Sequence, residues 1–166
     1  AGTNFVGTTD AQAFDIRTNN VLRTRITTKG QIETYNTGLS VFVGEGAGAN
    51  DDLTTNQNVF VGYRAGFSNT IGYYNTANGV QALQANITGG GNTANGMNAL
   101  YSNTEGSSNT ANGWTALYSN TTGLSNTANG FAALYSNVAG NNATAIGYNA
   151  MRYANNDATA FQNFNV

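Results

Sequence analysis

Residues Asn109 to Ser125 read NTANGWTALYSNTTGLS, and close copies of this unit precede and follow it along the chain. The string NTANG starts at Asn75, Asn92, Asn109 and Asn126, so each copy begins 17 residues after the last. A glycine column extends the period in both directions and comprises Gly62, Gly79, Gly96, Gly113, Gly130 and Gly147, with Gly44 a further 18 residues upstream. A fixed internal period of this kind is the signature of a repeat protein.

Seventeen residues are too few for a pair of helices with their turns, but they suit one coil of a β-solenoid. Glycine supplies positive φ or close backbone approach at the corners, and the Asn-Thr segments are typical of turns. Coils of this kind stack about 4.8 Å apart, so identical residues form columns. We therefore predict an all-β fold, a β-solenoid (β-roll) of about seven 17-residue coils over residues 41–154, with two short strands in each coil.

The two ends of the chain depart from the repeat. Residues 1–40 lack the period and hold Arg17, Arg23, Arg25 and Lys29, four of the six basic residues of the chain. Their β-prone segments predict a short β-rich N-terminal cap or a joint to an upstream shaft. Residues 155–166 break the period and are interpreted as a C-terminal cap or stub. Because the chain begins at Ala1, we expect it to be processed or to be a piece of a longer protein.

The composition excludes several classes of function. The chain has no Cys and no His, which removes thiol catalysis, Ser-His triads and the usual zinc ligands. Charged residues make up 8% and the net charge is −2, so no basic surface is available for nucleic acid. No apolar run approaches the length of a membrane span. We expect a protein that is not an enzyme, with no catalytic residues, cofactor, metal ion, nucleic-acid partner or membrane insertion.

Two columns in the strand region suggest contacts between coils or chains. Small residues at the middle strand position would let a neighbour approach closely, and we predict that they form a chain interface: Ala77, Ala94, Ala111, Ala128 and Ala145. The next position is predicted to form a stacked Asn ladder, or alternatively a column that holds ions or water: Asn78, Asn95, Asn112 and Asn129. A thin solenoid with so little charge would be marginal alone, which favours a homotrimer, either intertwined or side by side.

Aromatic residues form two further columns and are the best candidates for ligand binding. Rows of aromatic rings can stack on sugar rings, and we predict ligand contacts at Trp114, Tyr101, Tyr118 and Tyr135. Packing between coils is the alternative interpretation of these rings. The adjacent carboxylates Asp51 and Asp52 allow a calcium site or a solvated loop, and no acid pair typical of a glycosidase is evident.

Two stretches resemble known repeats. Residues Asn142 to Gly147 are similar to head repeats of trimeric autotransporter adhesins, which are left-handed β-rolls. The pattern TANGxxALYSNTTG resembles bacteriophage tail-fibre repeats of the type TA(V/I)GxxALxxNTTG, and this similarity covers nearly the whole chain. The segments Asn4 to Asp10 and Arg23 to Thr27 also resemble sequences that precede such repeats. The resemblance implies a homotrimeric fibre, often made with a chaperone domain that is trimmed away.

These observations lead to four functional hypotheses. The first is a structural and receptor-binding fibre segment, of a virion tail fibre or a bacterial surface adhesin, which is extracellular and attaches to a cell-surface glycan or protein. The second is a monomeric β-solenoid that binds ice or another lattice through a threonine column: Thr76, Thr93, Thr110, Thr127 and Thr144. The third is a subunit of a self-assembling extracellular filament, and the fourth is a glycan-cleaving tailspike.

Overall fold

The computed structural model describes Gly7, residues 10–54 and residues 56–154. These residues form ten β-strands and no helix, in two separate sheets. The first sheet is antiparallel and consists of β1 (Phe14–Thr18), β2 (Val21–Ile26) and β3 (Ile32–Thr34), with β2 in the middle. The C-terminal cap or stub predicted for residues 155–166, and most of the segment from Asn4 to Asp10, lie outside the described residues.

The second sheet confirms the β-solenoid. Its seven strands are β4 (Val41–Val43), β5 (Val59–Val61), β6 (Thr76–Asn78), β7 (Thr93–Asn95), β8 (Thr110–Asn112), β9 (Thr127–Asn129) and β10 (Thr144–Ile146). They pair in parallel and in chain order, and each residue lies beside its equivalent one repeat away, as Ala94 does beside Ala111. The path makes about six turns from the first strand to the last.

Each coil contains one strand of three residues where the sequence had predicted two. The remainder is a run of turns in which Gly113, Thr115 and Leu117 have φ of 135°, 56° and 51°. These conformations aim the backbone amides at both neighbouring coils. Thr115 N–H donates to Met97 O of the preceding coil and Leu117 N–H to Ala133 O of the following coil, each across 3.0 Å. Hydrogen bonds between coils thus continue without a second strand, which offsets the cost of positive φ in residues other than glycine.

The core is narrow and is filled mostly by alanine and leucine, with Phe60 near the beginning of the solenoid. The middle strand positions of β5 to β10 are fully or almost fully buried, together with the alanines at 65, 82, 99, 116 and 133 and the leucines at 83, 100, 117 and 134. The prediction of a chain interface at Ala77, Ala94, Ala111, Ala128 and Ala145 is therefore wrong: these side chains are at most 3% exposed and have no surface to offer a second chain. Side chains alternate along a strand, and the middle residue is the one that points inward.

Two buried columns of asparagine close the coils, and neither is the predicted one. The first Asn ladder comprises Asn58, Asn75, Asn92, Asn109 and Asn126. The second Asn ladder comprises Asn69, Asn86, Asn103, Asn120 and Asn137. Within one coil, Asn109 Nδ2 and Asn120 Nδ2 both donate to Gly123 O, across 2.8 and 3.2 Å. The two amides therefore hold the beginning and the end of the coil together, which is necessary where the coil has a single strand.

The same asparagines also join successive coils. In the first Asn ladder, Asn109 N–H donates to Asn92 Oδ1 across 3.0 Å. In the second, Asn103 Nδ2 donates to Asn86 Oδ1 across 2.8 Å. By contrast, the predicted ladder at Asn78, Asn95, Asn112 and Asn129 lies on the outer face of the strands, where Asn112 is half-buried and the others are exposed. One side-chain contact, from Asn95 Nδ2 to Asn112 Oδ1 across 2.9 Å, links two members of this outer Asn column.

Candidate functional site

The strand-to-turn corner carries a row of large exposed side chains. It lies directly after the glycine column, and we call it the apolar stripe: Val80, Met97, Trp114, Phe131 and Tyr148. Phe131 is half-buried and the other members are 40–75% exposed. The glycines beside the stripe carry no side chain that would keep another molecule away from it. The apolar stripe therefore runs along the solenoid as a surface that the described residues leave largely uncovered.

Trp114 is the predicted ligand residue that belongs to this stripe. Its side chain is 52% exposed, and its ring meets Phe131 edge to face, with centroids 5.4 Å apart and planes at 87°. Phe131 in turn stacks on Tyr148 at 5.1 Å. The structure thus brings Trp114 to the surface, within a row of rings that extends over three coils.

The remaining predicted ligand residues form a separate Tyr column: Tyr101, Tyr118 and Tyr135. Their rings lie parallel within 3°, with successive centroids 5.1 and 5.0 Å apart. Tyr118 is covered by a ring on each face, while Tyr135 has Tyr118 on one side and the Arg152 guanidinium 4.7 Å from its centroid. Burial, with smaller effects of Tyr135 and Tyr101, raises the pKa of the Tyr118 hydroxyl. Tyr118 and Tyr135 therefore present ring edges and hydroxyls to a ligand, because both faces of each ring are occupied.

A pocket at the beginning of the solenoid was not predicted from the sequence. It has a volume of about 280 Å³, and we call it the end pocket; its lining residues are Glu45, Gly46, Tyr63, Arg64 and Phe67. Glu45 and Tyr63 are exposed, whereas Arg64 and Phe67 are half-buried. The Arg64 guanidinium lies over the Phe67 ring, 4.2 Å from its centroid. A carboxylate, a guanidinium and two aromatic rings therefore meet in one concave surface.

The end pocket exists because the first coil has smaller side chains than the second. Glu45 and Gly46 stand 18 residues before Tyr63 and Arg64, in the same two columns. A Cβ atom at Gly46 would come within 3.3 Å of both Arg64 Cγ and Phe67 Cδ2, so glycine lets these two side chains pack closely against the first coil. The sequence carried one signal of this site, the change from a 17-residue to an 18-residue spacing between Gly44 and Gly62.

The carboxylates of Asp51 and Asp52 accept hydrogen bonds from neighbouring amides and hydroxyls. Asp51 accepts from Asn58 Nδ2 and Asn69 Nδ2, across 3.0 and 2.9 Å, and so stands at the beginning of both Asn ladders. Asp52 accepts from the hydroxyl and the backbone N–H of Thr54, which lower the pKa of its carboxyl. Among the described residues, no group of three or more Asp, Glu, His or Cys side chains could hold a metal ion. These carboxylates are built into the turn as hydrogen-bond acceptors.

No helix long and apolar enough to cross a membrane occurs in the described part of the chain. Comparisons with protein families, curated proteins and solved structures find no match to this sequence. The functional argument therefore rests on the apolar stripe, the Tyr column and the end pocket.

Proposed function

We propose that this protein is a structural and receptor-binding segment of a fibre, either a phage-type tail fibre or a bacterial surface adhesin. In this proposal it is extracellular, projects from a virion or a cell, and attaches to a cell-surface glycan or protein. The observation that carries the proposal is the apolar stripe on a rod of identical coils. Such a surface fits a long shaft that contacts other molecules along its length, and we assign no catalytic activity to it.

The apolar stripe supports the homotrimer. Its exposed side chains offer on the order of 500 Å² of apolar surface, which is the size of the largest patch on a typical monomer, and such patches often bind other molecules. In a trimer, each stripe would lie against a neighbouring chain, and the adjoining glycine column would let the two backbones approach. The outward position of the stripe makes it a better interface than the buried alanines that the sequence suggested. Low net charge places little electrostatic repulsion between the copies.

The oligomeric state is measured by light scattering after size exclusion. We expect a mass of three chains of 17.3 kDa each. Replacing Met97 and Trp114 together by Ser should shift the mass to one chain, because it removes the centre of the apolar stripe. The matched control replaces Thr93 and Thr110 by Ser on the strand face and should leave the trimer intact. A wild-type monomer would contradict the trimer, and a mass that grows with concentration would favour the filament.

Receptor binding is measured with fluorescently labelled protein on a panel of bacterial cells. We expect labelling of some strains that is lost after periodate treatment, which cleaves vicinal diols of glycans, or after protease treatment of the cells. Loss after periodate identifies a glycan receptor, and loss after protease identifies a protein receptor. No labelling of any strain would count against the receptor-binding role. Release of reducing sugar from the cell polysaccharide would instead favour a tailspike enzyme.

The threonine column favours a second candidate function. Thr93, Thr110 and Thr127 lie in register on the outer strand face, beside the outer Asn column, at intervals of one strand spacing. A regular array of hydroxyls and amides suits contact with ice or another lattice. Thermal hysteresis of a monomeric protein, abolished by Thr110→Lys, would establish this function in place of the first.

A further inference from the structure

We propose that the end pocket binds a single neutral hexose unit of a glycan. This inference rests on the proposed receptor-binding function and names both the place and the chemical class of the receptor. It places the sugar contact in the first two coils of the solenoid, whereas the sequence suggested Trp114 and the Tyr column.

Tyr63 supplies the apolar wall of the pocket. Its side chain is 46% exposed, and among the described residues its ring stacks on no other aromatic ring. The residue one coil earlier in its column is Glu45, so no ring precedes it. A sugar binds an aromatic side chain through the face of the ring, which Tyr118 cannot offer because both of its faces are covered. Tyr63 therefore has the free surface that the Tyr column lacks.

Glu45 and Arg64 supply the polar contacts. A carboxylate accepts hydrogen bonds from sugar hydroxyls, and a guanidinium donates to hydroxyl and ring oxygens. Within the described chain neither side chain takes part in an ion pair, since both ion pairs involve Asp15. The contact of Arg64 with Phe67 orients the guanidinium at the edge of the pocket. One acceptor and one donor are thus available to a ligand.

The charge and size of the pocket select the class of sugar. The opposite charges of Glu45 and Arg64 cancel, so the pocket offers no net electrostatic attraction to set against the cost of desolvating a uronic or sialic acid. A volume of about 280 Å³ lies near the lower limit for small-molecule sites, which suits one pyranose ring rather than a chain of several. A side chain at Gly46 would press on Arg64 and Phe67, so glycine at this position keeps these two lining residues in place. A neutral hexose can stack on the Tyr63 ring, donate a hydrogen bond to the Glu45 carboxylate and accept one from the Arg64 guanidinium.

The test is a titration followed by 1H–15N correlation spectra of the full chain. The neutral probes are the methyl glycosides of glucose, galactose and mannose, and the anionic probe is methyl glucuronide. We expect saturable shifts of the Gly46 and Arg64 amides with at least one neutral probe below about 100 mM, and at least a tenfold weaker effect of the glucuronide. No saturable shift with any neutral probe, or tighter binding of the glucuronide, would overturn the proposal.

Variants locate the site. Tyr63→Ala and Glu45→Ala change exposed side chains and should each raise the Kd about tenfold. Arg64→Gln should also weaken binding, and it keeps the fold because Gln81 occupies the same column with a similar positive φ. Glu105→Ala is the matched control for Glu45→Ala, because Glu105 is also exposed but does not line the end pocket, and it should leave the Kd unchanged. Equal affinity of the Tyr63→Ala and wild-type proteins would refute the assignment of the pocket.

Failure of this inference is distinguishable from failure of the proposed function. If the protein is trimeric and labels cells, but no neutral glycoside binds the end pocket, the receptor contact lies elsewhere and the fibre proposal stands. If the protein neither trimerises nor labels cells, the fibre proposal fails whatever the glycoside titration shows.

Discussion

The Nδ2 atom of Asn120 donates to the Oδ1 atom of Asn103, one coil earlier, across 2.7 Å, and both side chains are fully buried. The direction is the same at each step of the second Asn ladder, which starts where Asn69 Nδ2 donates to the Asp51 carboxylate. An amide can donate on one side and accept on the other, whereas a carboxylate only accepts. Asparagine therefore fits the interior of the ladder, and aspartate fits its first position.

We predict that Asn103→Ala destabilises the solenoid by about 3 kcal/mol. Asn103 donates to Asn86 Oδ1 and Gly106 O and accepts from Asn120 Nδ2, and all of these contacts are buried. Unfolding in urea, followed by circular dichroism, measures the loss. The control is Asn95→Ala in the outer Asn column, which should cost less than about 1 kcal/mol because the pair is exposed. Equal effects of the two substitutions would mean that the buried ladder is not what holds the coils.

A comparison of Gly113→Ala with Gly147→Ala separates the cost of a steric clash between coils from the cost of backbone strain. Both glycines have positive φ, 135° and 125°. A Cβ at Gly113 would lie 2.5 Å from Gly130 O, while at Gly147 the nearest atom among the described residues is Ala150 Cβ at 4.0 Å. We expect Gly147→Ala to cost about 2 kcal/mol from strain and Gly113→Ala at least twice that, because the next coil must move. The melting temperatures of the two variants measure both losses of stability. Similar decreases for Gly113→Ala and Gly147→Ala would argue against close stacking of the coils at this corner.

Thr115→Asn should stabilise the protein by about 1 kcal/mol. Thr115 is β-branched and has φ of 56°, a conformation that asparagine tolerates better. Asn98 and Asn149 already occupy this column with φ of 58° and 54°. Thermal unfolding measures the gain, and Thr110→Asn in β8, where the backbone is extended, should give none. A lower melting temperature for Thr115→Asn would show that the positive φ carries no strain here.

The N-terminal sheet should weaken in acid while the middle of the solenoid stays intact. The hydrogen bonds of Arg25, with a smaller contribution from Arg17, lower the pKa of the Asp15 carboxyl to about 2 from its ordinary value of 3.8. The stabilisation is complete above the unfolded value and is lost as the pH falls from 3.8 through 2. The amide chemical shifts of β1 and β2, followed as the pH is lowered, measure this loss of stability in the N-terminal sheet. The shifts of β7 and β8 serve as the comparison. In Asp15→Asn, the acid-dependent shift changes of β1 and β2 should disappear. If they persist, another titrating group causes them.

The sequence was sufficient to predict the solenoid and the position of the first strand of each coil, but the second strand that it predicted is absent from the described residues. The equivalence of Thr93, Thr110 and Thr127 implied their parallel pairing, because a fixed period places like residues beside each other. It was not sufficient to predict the turn region, where Leu117 adopts positive φ in a buried position. Local preference disfavours that conformation for leucine, and hydrogen bonds to the next coil impose it.

The surroundings of the candidate site residues could not be predicted, for a similar reason. Periodicity identified the aromatic columns, but a repeat alone does not show whether stacked rings cover each other, as they do at Tyr118. The end pocket arises where the pattern breaks, at Glu45 and Gly46, and its shape depends on how the 18-residue first coil meets the second. A search for departures from the repeat would have indicated this region.

The 17-residue period by itself determined that the chain is a stack of coils with side chains in columns, because a repeat that pairs with its neighbours has one register. Only the tertiary structure decided which columns face inward. Ala111 and Asn112 are adjacent and point to opposite sides of one strand, and either side could enclose the core. The closing of the coil by Asn109 and Asn120 on Gly123 O fixes which side of the strand is enclosed, and Ala111 lies on the enclosed side while Asn112 lies on the outer one.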